Sequence, residues 1–156
     1  TIINSYKMGG SIIACGNGGS ATQSNHLIEE LVGRYKNDRS PIKGLSLCSD
    51  SSLITCIGND YGFEYIFSRQ IECMASHNDV LLCFSTSGKS KNIINALKKA
   101  QSINLKAFLL TGDSYINEDN KFNYYSVGKT EGRKIQEEHL VLIHDIIECI
   151  ENNLII

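Results

Sequence analysis

His26 and Glu30 stand four residues apart in "SATQSNHLIEEL", so on a helix they share one face, an imidazole beside a carboxylate. Such a pair can move protons. The stretch just before it, "GNGGS" (16–20), follows a short apolar run and reads as a turn that opens the helix toward an anion. A second polar turn, "STSGKS", sets Ser85, Thr86, Ser87 and Ser90 around Gly88 ahead of another helix. A plain serine cap would need one hydroxyl. Four of them at a helix N-terminus supply neutral donors that suit phosphate oxygens. Near the end of the chain, "IQEEHLVLIH" puts Gln136 and His144 eight residues apart on one helical face, with His139 turned by about 60° to its edge. Taken together, these residues could do acid–base work on a phosphorylated molecule. Taken singly, each has a structural alternative: a local His26–Glu30 helix pair, a serine cap, a core histidine.

The elements that must position them alternate. Apolar runs at 10–16, 43–48, 79–85 and 105–112, and a short "YYSV" run at 124–127, read as strands. Helical patterns occupy 20–35, 50–60, 63–75, 89–102 and 131–153. In the helix at 89–102, Ile93, Ile94, Leu97 and Ala100 share one face. This order predicts an α/β fold, a doubly wound, parallel five-stranded sheet with helices on both faces. Both polar turns fall at the C-terminal edge of that sheet, where ligands bind in such folds. The opening "TIINSYKMGG" reads as the tail of a helix ended by Gly9 and Gly10. It starts on Thr1 rather than Met, so an N-terminal segment is expected to precede it.

The bulk numbers fit one domain over 1–156, with 42% hydrophobic and 21% charged residues. A net charge of −2 argues against a nucleic-acid partner. No run of about 18 apolar residues suggests a membrane span, and no signal-peptide pattern opens the chain. The six cysteines, Cys15, Cys48, Cys56, Cys73, Cys83 and Cys149, lie in apolar contexts without a C-x-x-C pair. They are read as buried, reduced thiols of a cytoplasmic protein. Gly16, Gly18 and Ala21 formally fit a dinucleotide fingerprint, but the acidic residue it needs at the end of the second strand has only Asp50 as a late candidate. The P-loop pattern is absent.

Four stretches carry a specific resemblance: "CGNGGS…H…EELVGRY", "CIGNDYGFEYIFSRQIE", "DVLLCFSTSGKSKNI" and "RKIQEEHLVLIH". In this order, over nearly the whole chain, they resemble the sugar isomerase (SIS) fold, which is flavodoxin-like, and within it the phosphoheptose isomerases. The resemblance implies conversion of sedoheptulose 7-phosphate to D-glycero-D-manno-heptose 7-phosphate through an enediol. It implies that Ser20, Ser85, Thr86, Ser87 and Ser90 hold the phosphate, and that Asn17, Gly18, Gly19, Asn59 and Asp60, with Glu30 and Gln136, line the sugar site. It implies Glu30 and His144 as catalytic base and acid, and one zinc ion on His26, Glu30, Gln136 and His144. Gln is a weak neutral ligand, so a metal of moderate affinity with a catalytic rather than structural role is expected.

The resemblance also implies a homotetramer with sites at subunit contacts, where Arg34, Asn59 and Asp60 could serve a neighbour. The final helix, "LVLIHDIIECIENNLII", is apolar over most of its circumference and gives an independent reason to expect association. Arg133 in "GRKIQ" departs from the small or acidic residue many members carry there. Other SIS proteins are sugar-phosphate sensors or adaptors that bind the replication initiator. The adaptor pattern lacks the carboxylate that Glu30 supplies here. Isomerases of other sugar phosphates share the phosphate grip and remain open as an alternative. The heptose could feed lipopolysaccharide, capsule or a glycoprotein.

Overall fold

Short apolar runs buried on both faces build the centre of a parallel sheet here, and the amphipathic segments between its strands cross over as helices. The computed structural model describes residues 1–115 and 121–154. Its elements run α1 (Ile2–Lys7), β1 (Ile12–Gly16), α2 (Gly19–Val32), β2 (Gly44–Ser46), α3 (Ser51–Tyr61), a 3₁₀ turn (Phe63–Tyr65), α4 (Ser68–Met74), β3 (Val80–Phe84), α5 (Lys91–Ser102), β4 (Lys106–Thr111), β5 (Asn123–Ser126) and α6 (Gly132–Leu154). Residues 116–120, within the polar stretch "SYINEDNKFN" before the last strand, and residues 155–156 lie outside the described residues.

The strand order is β2-β1-β3-β4-β5, with every neighbouring pair parallel. This is the flavodoxin-like order, and the doubly wound sheet expected from the sequence is borne out. The chain reverses direction across the sheet between β1 and β3, so their C-terminal ends flank a crevice.

Alternate strand residues feed two cores. Ile13, Cys15, Leu81, Cys83 and Leu109 pack with residues of α4 and α5, such as Ile71, Ile93 and Leu97. Ile12, Ala14, Leu82, Phe84 and Leu110 pack with Leu27 and Leu31 of α2 and with Ile143, Ile147 and Ile150 of α6. The second layer therefore sets α2 and α6 side by side on one face, above the ends of β1 and β3.

Three local expectations are corrected. The helix expected over 63–75 is two pieces. Gly62, at φ 102°, turns the chain, and bonds from Tyr65 N to Gly62 O and from Ile66 N to Phe63 O wind a 3₁₀ turn. That turn drops Ile66 and Phe67 into the core and leaves Phe63 and Tyr65 outside. His139, expected at the edge of a polar face, is fully buried at 0% exposure. It lies on the stripe Ile135, His139, Ile143, Ile147, Glu151 that faces the protein interior. Of the six cysteines only Cys15 and Cys83 are buried, while Cys56, Cys73 and Cys149 are exposed. Apolar neighbours in sequence do not fix a helix phase, and those three fall on outward positions. No disulfide joins any of the six.

Candidate active site

The site grows from the two turns at the β1–β3 switch point. After β1 the chain passes Gly18, at φ 55°, and enters α2 with no side-chain cap. Ser20 sits in the first turn of α2, buried, its backbone N–H on Asn17 O and its carbonyl taken by Ser24 Oγ. Gly19 is the position where the last helix closes in. A Cβ there would meet Gln136 Oε1 at 2.5 Å, so glycine leaves room for the Gln136 amide at the foot of α2.

The hydroxyl turn after β3 is wired for donation. Ser85 Oγ accepts Gly88 N–H at 3.1 Å, and Ser87 Oγ accepts Lys89 N–H at 3.2 Å. A hydroxyl that accepts from the backbone keeps its own O–H to give outward. Ser90 is the N-cap residue of α5, yet its side chain makes no capping bond. The plain capping alternative is thus unused by Ser90. Thr86 O accepts from Thr111 Oγ1 at 3.5 Å and Gly112 N at 3.4 Å, which ties the turn to the end of β4. Gly88, at φ 64°, lies under the Tyr115 ring, where a Cβ would meet Tyr115 Cδ2 at 2.4 Å. Both the backbone angle and the ring exclude a side chain there.

The residues expected to do acid–base work meet where α2 and α6 pack. His26 Nε2 and Glu30 Oε1 are 3.2 Å apart, with 30% and 15% of their side chains exposed. A carboxylate accepts in such a contact, which suits the His26 tautomer that carries its proton on Nε2. His144, from α6, faces the same point. The His26 ring meets it edge-on, centroids 5.3 Å apart, and Tyr35 stacks on it at 5.3 Å. Ligand atoms of His26, Glu30 and His144 lie within 4.8 Å of one another, all three half-buried.

Two imidazoles and a carboxylate at this spacing fit a borderline-soft divalent cation, and three protein ligands with an open side are the pattern of a catalytic site. A cation held through His26 Nε2 would displace a proton carried there. Gln136, the fourth expected ligand, packs against the start of α2. Its amide rests on Gly19, two helical turns before His26.

The remaining expected residues are exposed. Asn59 and Asp60 are exposed on the last turn of α3, joined by Asn59 Nδ2 to Asp60 Oδ1 at 2.8 Å. Arg34 is exposed just past α2. Arg133 is exposed and pairs with Glu131.

Sequence reasoning missed a clamp behind the triad. Arg39 donates to Glu30 O at 2.6 Å and to Leu31 O at 2.9 Å, closing the free carbonyls at the end of α2. Its Nε reaches Glu151 Oε1 of α6 at 3.2 Å. Glu151 is 1% exposed. Burial pushes its carboxyl up, but two bonds from Asn37 and the Arg39 charge outweigh that and leave it below the usual range. A charge on the core stripe of α6 was the available signal, since a buried carboxylate needs a partner.

A parallel sheet in this order, with glycine and hydroxyl turns at its switch point and a histidine–glutamate pair on the first crossover helix, defines a class, and the SIS domain family model matches residues 1–112. The phosphoheptose isomerase of Campylobacter jejuni is 44% identical over 147 residues, 93% of this chain and 78% of that protein. The structure of a phosphoheptose isomerase from Neisseria gonorrhoeae superposes with a TM-score of 0.86 at 35% identity, covering 96% of this chain and 80% of that one. One from Francisella tularensis gives 0.90 at 29% identity, covering 97% and 81%. The chain belongs to the phosphoheptose isomerase family.

Proposed function

We infer that this chain is an aldose–ketose isomerase that interconverts sedoheptulose 7-phosphate and D-glycero-D-manno-heptose 7-phosphate. The observation that carries the reading is the meeting of His26, Glu30 and His144 on the two helices that rise beside the phosphate-ready turns.

In this reading the phosphate is held by the O–H groups of Ser20, Ser85, Thr86, Ser87 and Ser90 and by the N-terminus of α5. Asn17, Gly18, Gly19 and Gln136 line the sugar. Glu30 removes the proton from the carbon beside the carbonyl and returns it to the neighbouring carbon. His26 occupies Oε1 and leaves Oε2 free for that transfer. His144, its ring held by Tyr35, donates a proton to the carbonyl oxygen as the enediol forms and takes one back from the neighbouring hydroxyl as the enediol collapses. A zinc ion, if bound by His26, Glu30 and His144, with Gln136 swung in as a fourth ligand, would supply Lewis-acid polarisation of the sugar oxygens.

The protein is further proposed to work as a homotetramer in the cytoplasm, with no nucleic-acid partner, supplying heptose to lipopolysaccharide or capsule. An apolar groove of about 400 Å³, lined by Ile2, Ile3, Phe108, Leu110, Ile146 and Ile150, supports association. Exposed Val141 on α6 supports it too. No helix is long and apolar enough to cross a membrane among the described residues. In the assembly, Asn59, Asp60 and Arg34 would reach a neighbour's site. The test is turnover of sedoheptulose 7-phosphate beside arabinose 5-phosphate and fructose 6-phosphate. Preference for the heptulose phosphate is expected, and turnover of only a shorter sugar would refute the substrate assignment.

A further inference from the structure

The two turns of the crevice are joined by one pair of amides. Asn17 Nδ2 donates to Asn92 Oδ1 at 2.9 Å, and Asn92 Nδ2 donates to Asn17 Oδ1 at 2.7 Å. Asn17 belongs to the glycine turn after β1, and Asn92 to the first turn of α5, just after the hydroxyl turn. The two are 75 residues apart in sequence. Asn92 is 2% exposed, and no solvent competes for its amide.

A reciprocal amide pair could be written with both amides flipped. A third bond removes that freedom. Ile93 N–H donates to Asn92 Oδ1 at 3.0 Å. A backbone N–H needs an acceptor, so the atom facing it must be oxygen and the other must be the NH₂. Asn92 is fixed by the backbone, and through the pair it fixes Asn17. Asn17 is left with one N–H and one lone pair of its oxygen, both turned away from Asn92. Asn17 is half-buried at the crevice, so these are the groups it can offer to a ligand.

We propose that Asn92 is a positioning residue of the isomerase site: it sets which edge of the Asn17 amide meets the sugar and holds the glycine turn in register with the phosphate turn. This rests on the reading of Asn17 as a sugar ligand. A substrate that spans both turns meets two grips whose separation is fixed before it binds, and a fixed separation lowers the ordering cost of binding.

The test is a double-mutant cycle in the full chain, with sedoheptulose 7-phosphate kinetics for Asn17→Ala, Asn92→Ala and the double variant. Each single change is expected to lower kcat/KM about tenfold or more, the loss of a buried hydrogen-bonded contact. The double variant should fall within about twofold of Asn17→Ala alone, because Asn92 acts through Asn17. Affinity for inorganic phosphate, read by calorimetry, should stay within about threefold in Asn92→Ala. Asn92→Leu keeps bulk without the bonds and should match Asn92→Ala, which also serves if the alanine variant folds poorly.

Effects that multiply in the double variant overturn the proposal, as does wild-type kinetics in Asn92→Leu. So does a loss of inorganic phosphate affinity that parallels the loss for the sugar. Unchanged kinetics in Asn17→Ala removes Asn17 as a ligand and this proposal with it. A wild-type chain that turns over no heptulose phosphate removes the functional reading itself, and is told apart from the others by that control.

Discussion

His139 and His144 lie five residues apart on α6 and live in opposite surroundings. His144 looks into the crevice, half-buried, with Tyr35 on its face and His26 at its edge. His139 looks into the sheet. It is fully buried, touches Phe84 edge-on at 5.4 Å, and neither ring nitrogen has a hydrogen-bond partner among the described residues. Burial pushes its pKa down to about 4. The same residue type on one helix thus joins a half-buried His–Glu–His cluster on one face and becomes a neutral packing element on the other. Proximity to a titratable cluster in sequence says little; the face of the helix decides.

The sharpest way to break this contrast is to remove each ring in turn. His144→Ala is expected to cut turnover by roughly 10² to 10⁴, the scale of losing a general acid. It should also abolish any zinc retained on purification without chelator, as should His26→Ala. His139→Leu should keep both turnover and metal. Metal lost from His139→Leu, or kept in His144→Ala, would put the reactive ring on the wrong face. Kinetics paired with elemental analysis reads both.

Acid stability sharpens the other half. Unfolded, His139 titrates near the ordinary 6.5; folded, near 4. Between those values the unfolded chain takes up a proton that the folded one refuses. Stability is therefore full above pH 6.5 and falls as pH drops toward 4. The loss is roughly 3 kcal/mol at the bottom of that window. Denaturant unfolding of His139→Leu against wild type should show this part of the slope gone. An unchanged slope would mean that the ring is hydrated or paired in solution.

The smallest effects are expected at the hydroxyl turn after β3, which in the proposed function binds phosphate and does no chemistry. Ser87→Ala and Ser90→Ala should each weaken substrate binding by roughly 0.5–1.5 kcal/mol, more where the oxygen is charged. The change should fall in KM, with kcat nearly kept. Sedoheptulose without phosphate should be a poor substrate. Equal turnover of the two sugars would remove the phosphate grip.

The contrast on α6 also marks where sequence reading runs out. Strand–helix alternation and the two turns were legible, because each is written in contiguous residues. His26 and Glu30 were legible because one helical turn joins them. The phase of α6 was not. Its core stripe runs through Ile135, His139, Ile143, Ile147 and Glu151, and two polar residues on it disguised the apolar face. Glu151 meets Arg39 across 112 residues of chain, and Asn92 meets Asn17 across 75. Pairs of that kind are set by how α2, α5 and α6 pack on the sheet, and no local spacing encodes them. The outward Cys56, Cys73 and Cys149 failed the apolar-context rule for the same reason.

The central claim is that the carboxylate of Glu30 is the base of the crevice. Glu30→Gln keeps its shape and its contact with His26 while removing the group that takes the proton. Steady-state turnover of sedoheptulose 7-phosphate, read together with thermal stabilisation by the same ligand, tests this directly. The account expects turnover to fall by roughly 10² to 10⁴ while the ligand still raises the melting temperature. Turnover retained by Glu30→Gln would contradict it.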